Sequence, residues 1–179
     1  MKKLLLYLSI GIALLVSGSH HVNKSTLTLH QAMSEYRAHL DRILHKEHKR
    51  EKELLAYKRK QIICLAENIY REARGQSRKG QIAVALVTIN RVKHHFASSV
   101  CGVVYEPGQF SWVGQPRPSF EPWQWHIAKY LARLVYTKHV HDFTKGALYF
   151  YAADDPTPPT WASDYQETIQ VGNQIFYRP

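Results

Sequence analysis

The stretch that most limits how this chain folds is HKEHKREKE, residues 45–53, in which every side chain is charged or histidine. Such a run cannot lie in a hydrophobic core, because burying unpaired charges is very unfavourable. It lies between Leu44 and Leu54, and apolar residues recur only sparsely from residue 30 to residue 60. We therefore expect residues 20–60 to form a charged, solvated helical stalk or linker.

The positive charge of the chain is concentrated in this N-terminal third. Residues 1–60 hold 12 Lys and Arg against 5 acidic residues, whereas residues 61–179 hold 12 against 9. A basic arm attracted to anionic polymer or lipid headgroups is one interpretation. Glutamates interleaved with the lysines form pairs of the i,i+4 type and favour a solvated spacer. No nucleic-acid recognition motif is visible, so nucleic acid is not an expected partner.

The first residues, MKKLLLYLSIGIALLVSGSHH, have the layout of an export signal. Two lysines precede an apolar run from residue 4 to residue 16, and small residues follow it. The run is short for a permanent membrane span, which needs roughly 20 residues. Residues 1–19 are therefore predicted to be a cleaved signal peptide or a retained inner-membrane anchor. Either one exports the chain to the periplasm or to the outer face of the inner membrane.

Residues 61–179 have the composition of a folded domain and begin with the helical pattern QIICLAENIYREARG. At 100° per residue its apolar side chains share one face, with Glu67 and Glu72 on opposite margins of the stripe. The two carboxylates therefore cannot act as a pair on one face. Glu72, next to the helix end implied by Gly75, is the better candidate for a cleft, and the side of Glu67 is expected to face away from it. The alternative for Glu72 is an exposed carboxylate paired with Arg71 or Arg74.

The rest of the domain predicts a second helix and a small sheet. GQIAVALVTINRV, residues 80–92, is apolar almost all round and reads as a buried helix, with Gln81 and Asn90 serving caps and buried backbone. ALYFYA and ETIQVGNQIFYRP are rich in β-forming residues, and Gly172-Asn173 suits a two-residue hairpin turn. The predicted fold class is α+β, a helical lobe beside a small antiparallel sheet with a cleft between them.

Five segments carry a resemblance to a known family, in the family's order: NIYREARGQSRKGQIAVALVTINRV, VCGVVYEPGQFSWV, GALYFY, PTWA and VGNQIFY. They resemble the SleB-like cell wall hydrolases, which include spore-cortex-lytic enzymes and relatives in Gram-negative bacteria and their phages. The match runs from about residue 64 to residue 177. The resemblance implies a peptidoglycan-cleaving domain with a lysozyme-like or lytic-transglycosylase-like site, whose acid is the glutamate of E-A-R-G, Glu72.

The chain departs from the family pattern at two places. Relatives usually carry a non-acidic residue at the position of Glu67, so the resemblance lends it no catalytic role. Many relatives have His or Asn after G-A-x-x-F, where this chain has Tyr151 and Ala152.

Glycosidic cleavage needs a carboxylic acid that stays protonated near neutral pH. Hydrolysis usually adds a second carboxylate about 5–9.5 Å away, and no other acidic residue of the domain lies in a matching motif. One glutamate suffices for lytic transglycosylation, in which the 6-hydroxyl of muramic acid attacks C1. We predict that reaction at the MurNAc-GlcNAc bond, with Glu72 as acid and base and no cofactor. The alternatives are a hydrolytic muramidase or glucosaminidase, an N-acetylmuramoyl-L-alanine amidase that uses zinc, and a non-catalytic wall-binding protein tethered to the membrane.

The loop YEPGQFSWVGQPRPSFEPWQW has the Pro, Gly and aromatic content of a binding loop. Gln109, Ser111 and Trp112 are its predicted substrate-binding residues, and Tyr151 and Trp161 are further candidates for the cleft walls. The later tryptophans, Trp123 and Trp125, are expected to fill core, because Pro122 opens a helix with an inward apolar face.

The two cysteines, Cys64 and Cys101, form an even pair in a chain predicted to be exported. Such a pair indicates a disulfide between the Glu72 helix and the segment before QFSW, and two buried free thiols are the alternative. The histidines match no metal-ligand spacing supported by Asp or Glu, so no metal site is predicted.

Overall fold

The computed structural model describes residues 22–116 and 118–179, with side chains described from residue 28. The predicted signal or anchor, residues 1–19, lies outside the described residues. The chain divides between Lys52 and Glu53 into two units. Among the described helices, none is long and apolar enough to cross a membrane.

The predicted charged helix is present and continues into the Glu72 helix as one element, α1, Val22–Ala73. From residue 28 to residue 60 its side chains are exposed, apart from the half-buried Leu40. From Gln61 onward most are buried, and the predicted apolar face is confirmed by Ala66, Ile69 and Ala73. The charged stretch 45–53 therefore lies on solvated helix.

Three further helices complete the helical lobe: α2, Arg78–Lys93; α3, Val100–Val104; and α4, Pro122–Tyr136. Helix α2 is buried on most sides, as predicted. The side chain of Gln81 donates to the carbonyl oxygens of Arg74 and Gln76, and that of Asn90 donates to Ala147 O. Both residues therefore satisfy backbone groups, as the sequence indicated.

Helix α2 belongs to both parts of the core. On one side Ala85 and Leu86 join α1, α3 and α4 in the main cluster. On the other side Ala83 and Val87 pack with Phe176 of the sheet. Burial of these apolar surfaces fixes the sheet against the helical lobe.

The sheet has three antiparallel strands in the order β1-β3-β2: β1, Tyr149–Ala152; β2, Gln166–Val171; β3, Gln174–Arg178. Strands β2 and β3 form the predicted hairpin, and Gly172 in its turn has φ of 59°, a left-handed conformation that favours glycine. A short 3-10 helix, Thr160–Ser163, precedes β2.

The predicted disulfide is confirmed: Cys64 and Cys101 are bonded, with their Cα atoms 5.2 Å apart, and the bond joins α1 to α3.

The core role expected of the later tryptophans is wrong for Trp123, which is 65% exposed because it lies on the solvent side of the first turn of α4. Trp125 is half-buried and stacks on Phe120 with ring centroids 4.4 Å apart.

Candidate active site

Glu72 lies in the last turn of α1 and is half-buried. The indole Nε1–H of Trp112 donates to its Oε1 at 2.6 Å. Arg71 and Arg74 do not pair with it, so the alternative of an exposed, ion-paired helix carboxylate does not apply. The predicted acid and the predicted binding loop therefore meet in the fold.

Burial raises the pKa of Glu72 above its ordinary value, and the Trp112 hydrogen bond and the positive charge of Arg91 oppose that rise. Its position in the helix acts in the same direction as burial, because unpaired carbonyl groups give the C-terminal end of a helix a partial negative charge. The carboxyl group is thus biased toward its protonated form. A general acid requires that bias.

Arg91 of α2 is the cation beside Glu72, and the side chain is only 7% exposed. Its Nε–H donates to Leu148 O at 2.7 Å. Its Cζ lies 5.5 Å from the ring centroid of Phe110 and 5.8 Å from that of Tyr149. Burial lowers the pKa of the Arg91 guanidinium, while Tyr149 and Glu72 oppose that effect. Among the described residues Nη1 has no hydrogen-bond partner.

Trp112 is held by more than its bond to Glu72. The guanidinium of Arg71 lies 4.6 Å from the indole centroid, Phe110 stacks on the indole at 5.7 Å, and Tyr105 meets it edge-on at 6.1 Å. These contacts support a role in orienting the acid, whereas the predicted role of Trp112 as a sugar platform stays a prediction.

Glu67 is not placed as the sequence predicted. It is 2% exposed, and its carboxylate accepts from Arg71 Nε and Nη2, both at 3.1 Å, and from the Tyr105 hydroxyl at 2.8 Å. The expectation that its side of the helix faces away from the site is wrong, because both partners contact Trp112. Helical angles alone could not reveal this, since Tyr105, which joins Glu67 to the site, belongs to a loop 38 residues away in sequence.

The other two loop residues predicted to bind substrate lie beside Phe110. Gln109 is half-buried, and its side-chain Oε1 is buried without a hydrogen-bond partner in the described part of the chain. Ser111 is exposed in the adjoining turn. Phe110 itself is buried beneath Arg91 and links the loop to α2.

Tyr151 and Trp161 belong to one aromatic cluster on the sheet. Their ring centroids are 6.0 Å apart, and Trp161 also lies 5.4 Å from Tyr149. A hydrogen bond with Tyr151, together with burial, raises the pKa of Tyr177 to about 12. Because Tyr149 also contacts Arg91, the cluster reaches the surroundings of Glu72 through that arginine.

Arg91 and Tyr149 are among the residues of this site that sequence reasoning did not find. Arg91 gave a usable signal, because a charged residue inside a helix that is apolar all round needs a reason to be buried. Tyr149 gave none, since strand aromatics also fill cores. Within residues 22–116 and 118–179 there is no group of three or more His, Cys, Asp or Glu that could hold a metal ion.

The remaining acidic side chains of residues 61–179 are engaged elsewhere or exposed. Asp142 accepts hydrogen bonds from Asn90, Thr144 and Gly146. Burial raises the pKa of Asp142, but these hydrogen bonds outweigh that effect and hold the pKa below its ordinary value. The exposed ones are Glu106, Glu121, Asp154, Asp155, Asp164 and Glu167.

Comparison with known proteins places the chain in a family. The family model described as Cell Wall Hydrolase matches residues 75–177, a region that begins three residues after Glu72. The chain is 32% identical over 118 residues to a spore cortex-lytic enzyme of Bacillus subtilis, a match that covers 64% of this chain and 36% of that protein. The corresponding enzyme of Oceanobacillus iheyensis is 31% identical over 121 residues, 67% of this chain and 42% of that protein.

Two solved structures share the fold. The catalytic domain of the Bacillus cereus SleB protein matches with a TM-score of 0.55 and 30% identity over 66% of this chain and 89% of that domain. The catalytic domain of a germination-specific lytic transglycosylase SleB from Bacillus anthracis gives a TM-score of 0.54 and 30% identity, over 66% of this chain and 93% of that domain. The chain thus spans less than half of the two full-length relatives but most of the catalytic domains. It belongs to the SleB-like cell wall hydrolase family.

Proposed function

We propose that residues 61–179 form a lytic transglycosylase domain that cleaves the MurNAc-GlcNAc bond of peptidoglycan, with Glu72 as its single acid and base. The observation that carries this proposal is the setting of Glu72: a half-buried carboxyl group with a raised pKa, oriented by Trp112 and facing the charge of Arg91. The resemblance to a SleB structure described as a lytic transglycosylase supports the same reaction class.

In the first step the neutral Glu72 donates its proton to the glycosidic oxygen as the bond to C1 breaks. Trp112 donates to Oε1, so the acidic proton belongs on Oε2, which accepts no hydrogen bond from the described residues. The leaving sugar departs as an alcohol. The developing positive charge at C1 faces a carboxylate that has just become negative, which favours the transition state.

In the second step the Glu72 carboxylate takes the proton of the muramic acid 6-hydroxyl while that oxygen bonds to C1. The product is a 1,6-anhydro sugar, no water is consumed, and Glu72 returns to its neutral form. The Trp112 hydrogen bond and the Arg91 charge stabilise the ionised Glu72 between the two steps. One group can therefore act as acid and then as base.

The state of two other carboxylates, Glu67 and Asp142, supports this mechanism over hydrolysis. A hydrolase usually uses a second carboxylate, about 5–9.5 Å from the acid, that can reach substrate or water. Glu67 is buried in its ion pair, and Asp142 is held by a turn and by α2. Neither carboxylate is free to act as nucleophile.

The proposed substrate-binding residues come from two parts of the domain. The loop contributes Gln109, Ser111 and Trp112, and the aromatic cluster on the sheet contributes Tyr151 and Trp161. Aromatic rings and amide groups suit a neutral sugar strand.

We also propose that the chain is exported, that residues 1–19 are its signal or inner-membrane anchor, and that residues 20–60 are its stalk. Peptidoglycan lies outside the inner membrane, so the enzyme must reach it there.

The test is mass spectrometry of the muropeptides released from purified peptidoglycan by the full chain. Lytic transglycosylation gives products one water lighter than reducing muropeptides. Full-mass reducing ends would replace the proposal with a hydrolytic mechanism, and free peptides with intact glycan strands would replace it with an amidase. Loss of activity on addition of a chelator would count against it in the same way.

A further inference from the structure

Glu67 is a buried acidic residue that the proposed chemistry does not use. Its relative exposure is 2%, and removal of a carboxylate from water is unfavourable unless partners compensate. Arg71 and Tyr105 supply that compensation through hydrogen bonds. The question is what the chain gains from a buried carboxylate only five residues before Glu72.

Both partners of Glu67 also contact one indole. The Arg71 guanidinium lies 4.6 Å from the Trp112 ring centroid, and the Tyr105 ring meets the same indole at an interplanar angle of 89°. Arg71 and Tyr105 thus connect the carboxylate of Glu67 to the ring of Trp112. The indole in turn donates a hydrogen bond from its one N–H group to Glu72 Oε1.

We propose that Glu67 is a positioning residue, which fixes Arg71 and Tyr105 so that Trp112 directs its N–H at Glu72. This role rests on the proposed function, because it acts through Glu72. Without the carboxylate, Arg71 loses the oxygen Oε1 that its Nε and Nη2 both contact, and Tyr105 loses its charged acceptor Oε2. The indole would then be free to tilt, and its bond to Glu72 would weaken.

The direction in which the pKa of Glu72 changes on loss of the Glu67 charge distinguishes this proposal from a purely electrostatic role of Glu67. Glu67 faces Arg71 on its own helix and Tyr105 on the loop, and Glu72 faces Arg91 on α2. If Glu67 acted only as a nearby negative charge, its neutralisation would lower the pKa of Glu72. If it acts through Trp112, its neutralisation weakens a hydrogen bond that lowers the pKa of Glu72, so that pKa rises.

The experiment compares Glu67→Gln, Trp112→Phe and the double variant with the unchanged chain, by kcat, KM and the pH dependence of kcat on purified peptidoglycan. We expect Glu67→Gln to lower kcat roughly 10- to 100-fold with KM unchanged, since small displacements of catalytic groups have effects of that size. The alkaline limb of the pH profile moves to higher pH in both single variants. The double variant is no slower than Trp112→Phe alone, because the two residues act in series.

The matched control is Glu106→Gln, which removes an exposed carboxylate next to Tyr105 and leaves kcat and the pH profile unchanged. Glu67→Gln strands Arg71 and can fail to fold. In that case Tyr105→Phe is used, because it keeps the ion pair and removes one hydrogen bond to Glu67. It must move the alkaline limb to higher pH and lower kcat by a smaller factor.

Three results would overturn the proposal: a wild-type kcat in Glu67→Gln, an alkaline limb that stays or moves to lower pH, or additive losses in the double variant. Failure of the proposed function gives a different pattern. Activity in Glu72→Gln would refute the catalytic assignment, whereas an inactive Glu72→Gln beside an unaffected Glu67→Gln would refute only the role of Glu67.

Discussion

The two parts of helix α1 have the same secondary structure but opposite environments. From residue 28 to residue 60 nearly every side chain is exposed, and from residue 61 to residue 73 most are buried. Both parts contain glutamates, and in the buried part burial raises the pKa of one of them, Glu72. Chemistry here depends on tertiary packing, which removes water from residues 61–73 and leaves residues 28–60 solvated.

The largest expected difference between the two parts is in catalysis. Glu72→Gln keeps the size of the side chain and its acceptor for Trp112 but removes the proton, so glycan cleavage should fall roughly 10²- to 10⁴-fold or more. Glu51→Gln, the same change in the exposed part, should leave the rate unchanged. Release of soluble muropeptides from purified peptidoglycan measures both, and equal losses would refute the comparison.

The disulfide is the next largest effect, and it acts only on the buried part. Replacing Cys64 and Cys101 together by serine should lower the free energy of unfolding by roughly 4 kcal/mol, because the bond closes a long segment. Denaturant unfolding of oxidised, reduced and doubly substituted protein measures it. Reduction of the unchanged chain should lower the free energy of unfolding by the same amount. If only the serine variant is destabilised, the cause is altered packing of the two side chains and not loss of the disulfide.

Two isoleucines on α1 give a matched test of burial. Ile69 is 0% exposed and Ile43 is 40% exposed. Ile69→Ala should lower the free energy of unfolding by about 2–5 kcal/mol through lost burial and the cavity left behind. Ile43→Ala should change it by less than about 0.5 kcal/mol, as surface substitutions do. A large effect at Ile43 would show that something covers the exposed part in solution.

Glu72 should also make stability depend on pH. Its folded-state pKa lies above the reference value of 4.5, so the unchanged chain loses stability relative to Glu72→Gln as pH rises from 4.5 through the folded pKa. Each unit between the two pKa values corresponds to about 1.4 kcal/mol. Melting of both proteins between acidic and neutral pH tests this, and Glu72→Gln should be the more stable at neutral pH only.

The smallest expected effect is that of removing the exposed part. A chain beginning at Glu53, where the second unit starts, should keep its melting temperature within a few degrees, because residues 28–52 contribute little burial. Its rate on soluble glycan strands should also be unchanged. A slower rate on intact cell wall alone would support the proposed stalk.

Much of the fold could be predicted from the sequence, because the signals were local. The apolar stripe on α1, the all-round apolar pattern of α2 and the Gly172-Asn173 turn each specify one element. The pairing of Cys64 with Cys101 needed only parity and the expectation of export. Glu72 was identified mainly through a family motif, since helix geometry alone favoured it only over Glu67.

The sequence was less informative where a residue's neighbours come from distant segments. Nothing local marks Glu67 as the partner of Tyr105, which lies 38 positions along the chain. Trp123 was misplaced because it was assigned to the inward apolar face of the helix that Pro122 opens, whereas α4 turns that position to solvent. Arg91 was overlooked although a charge within a buried helix is itself a signal.

The disulfide also changes what a protease can do to the molecule. Cys64 and Cys101 close a covalent ring that contains both Glu72 and Arg91. The turn after α1 is exposed at Arg74 and Gly75, which is where cleavage of a folded chain concentrates. A single cut there opens the ring without separating its pieces, so the nicked chain remains one molecule and keeps its acid tethered beside its arginine. Only reduction would release the two fragments.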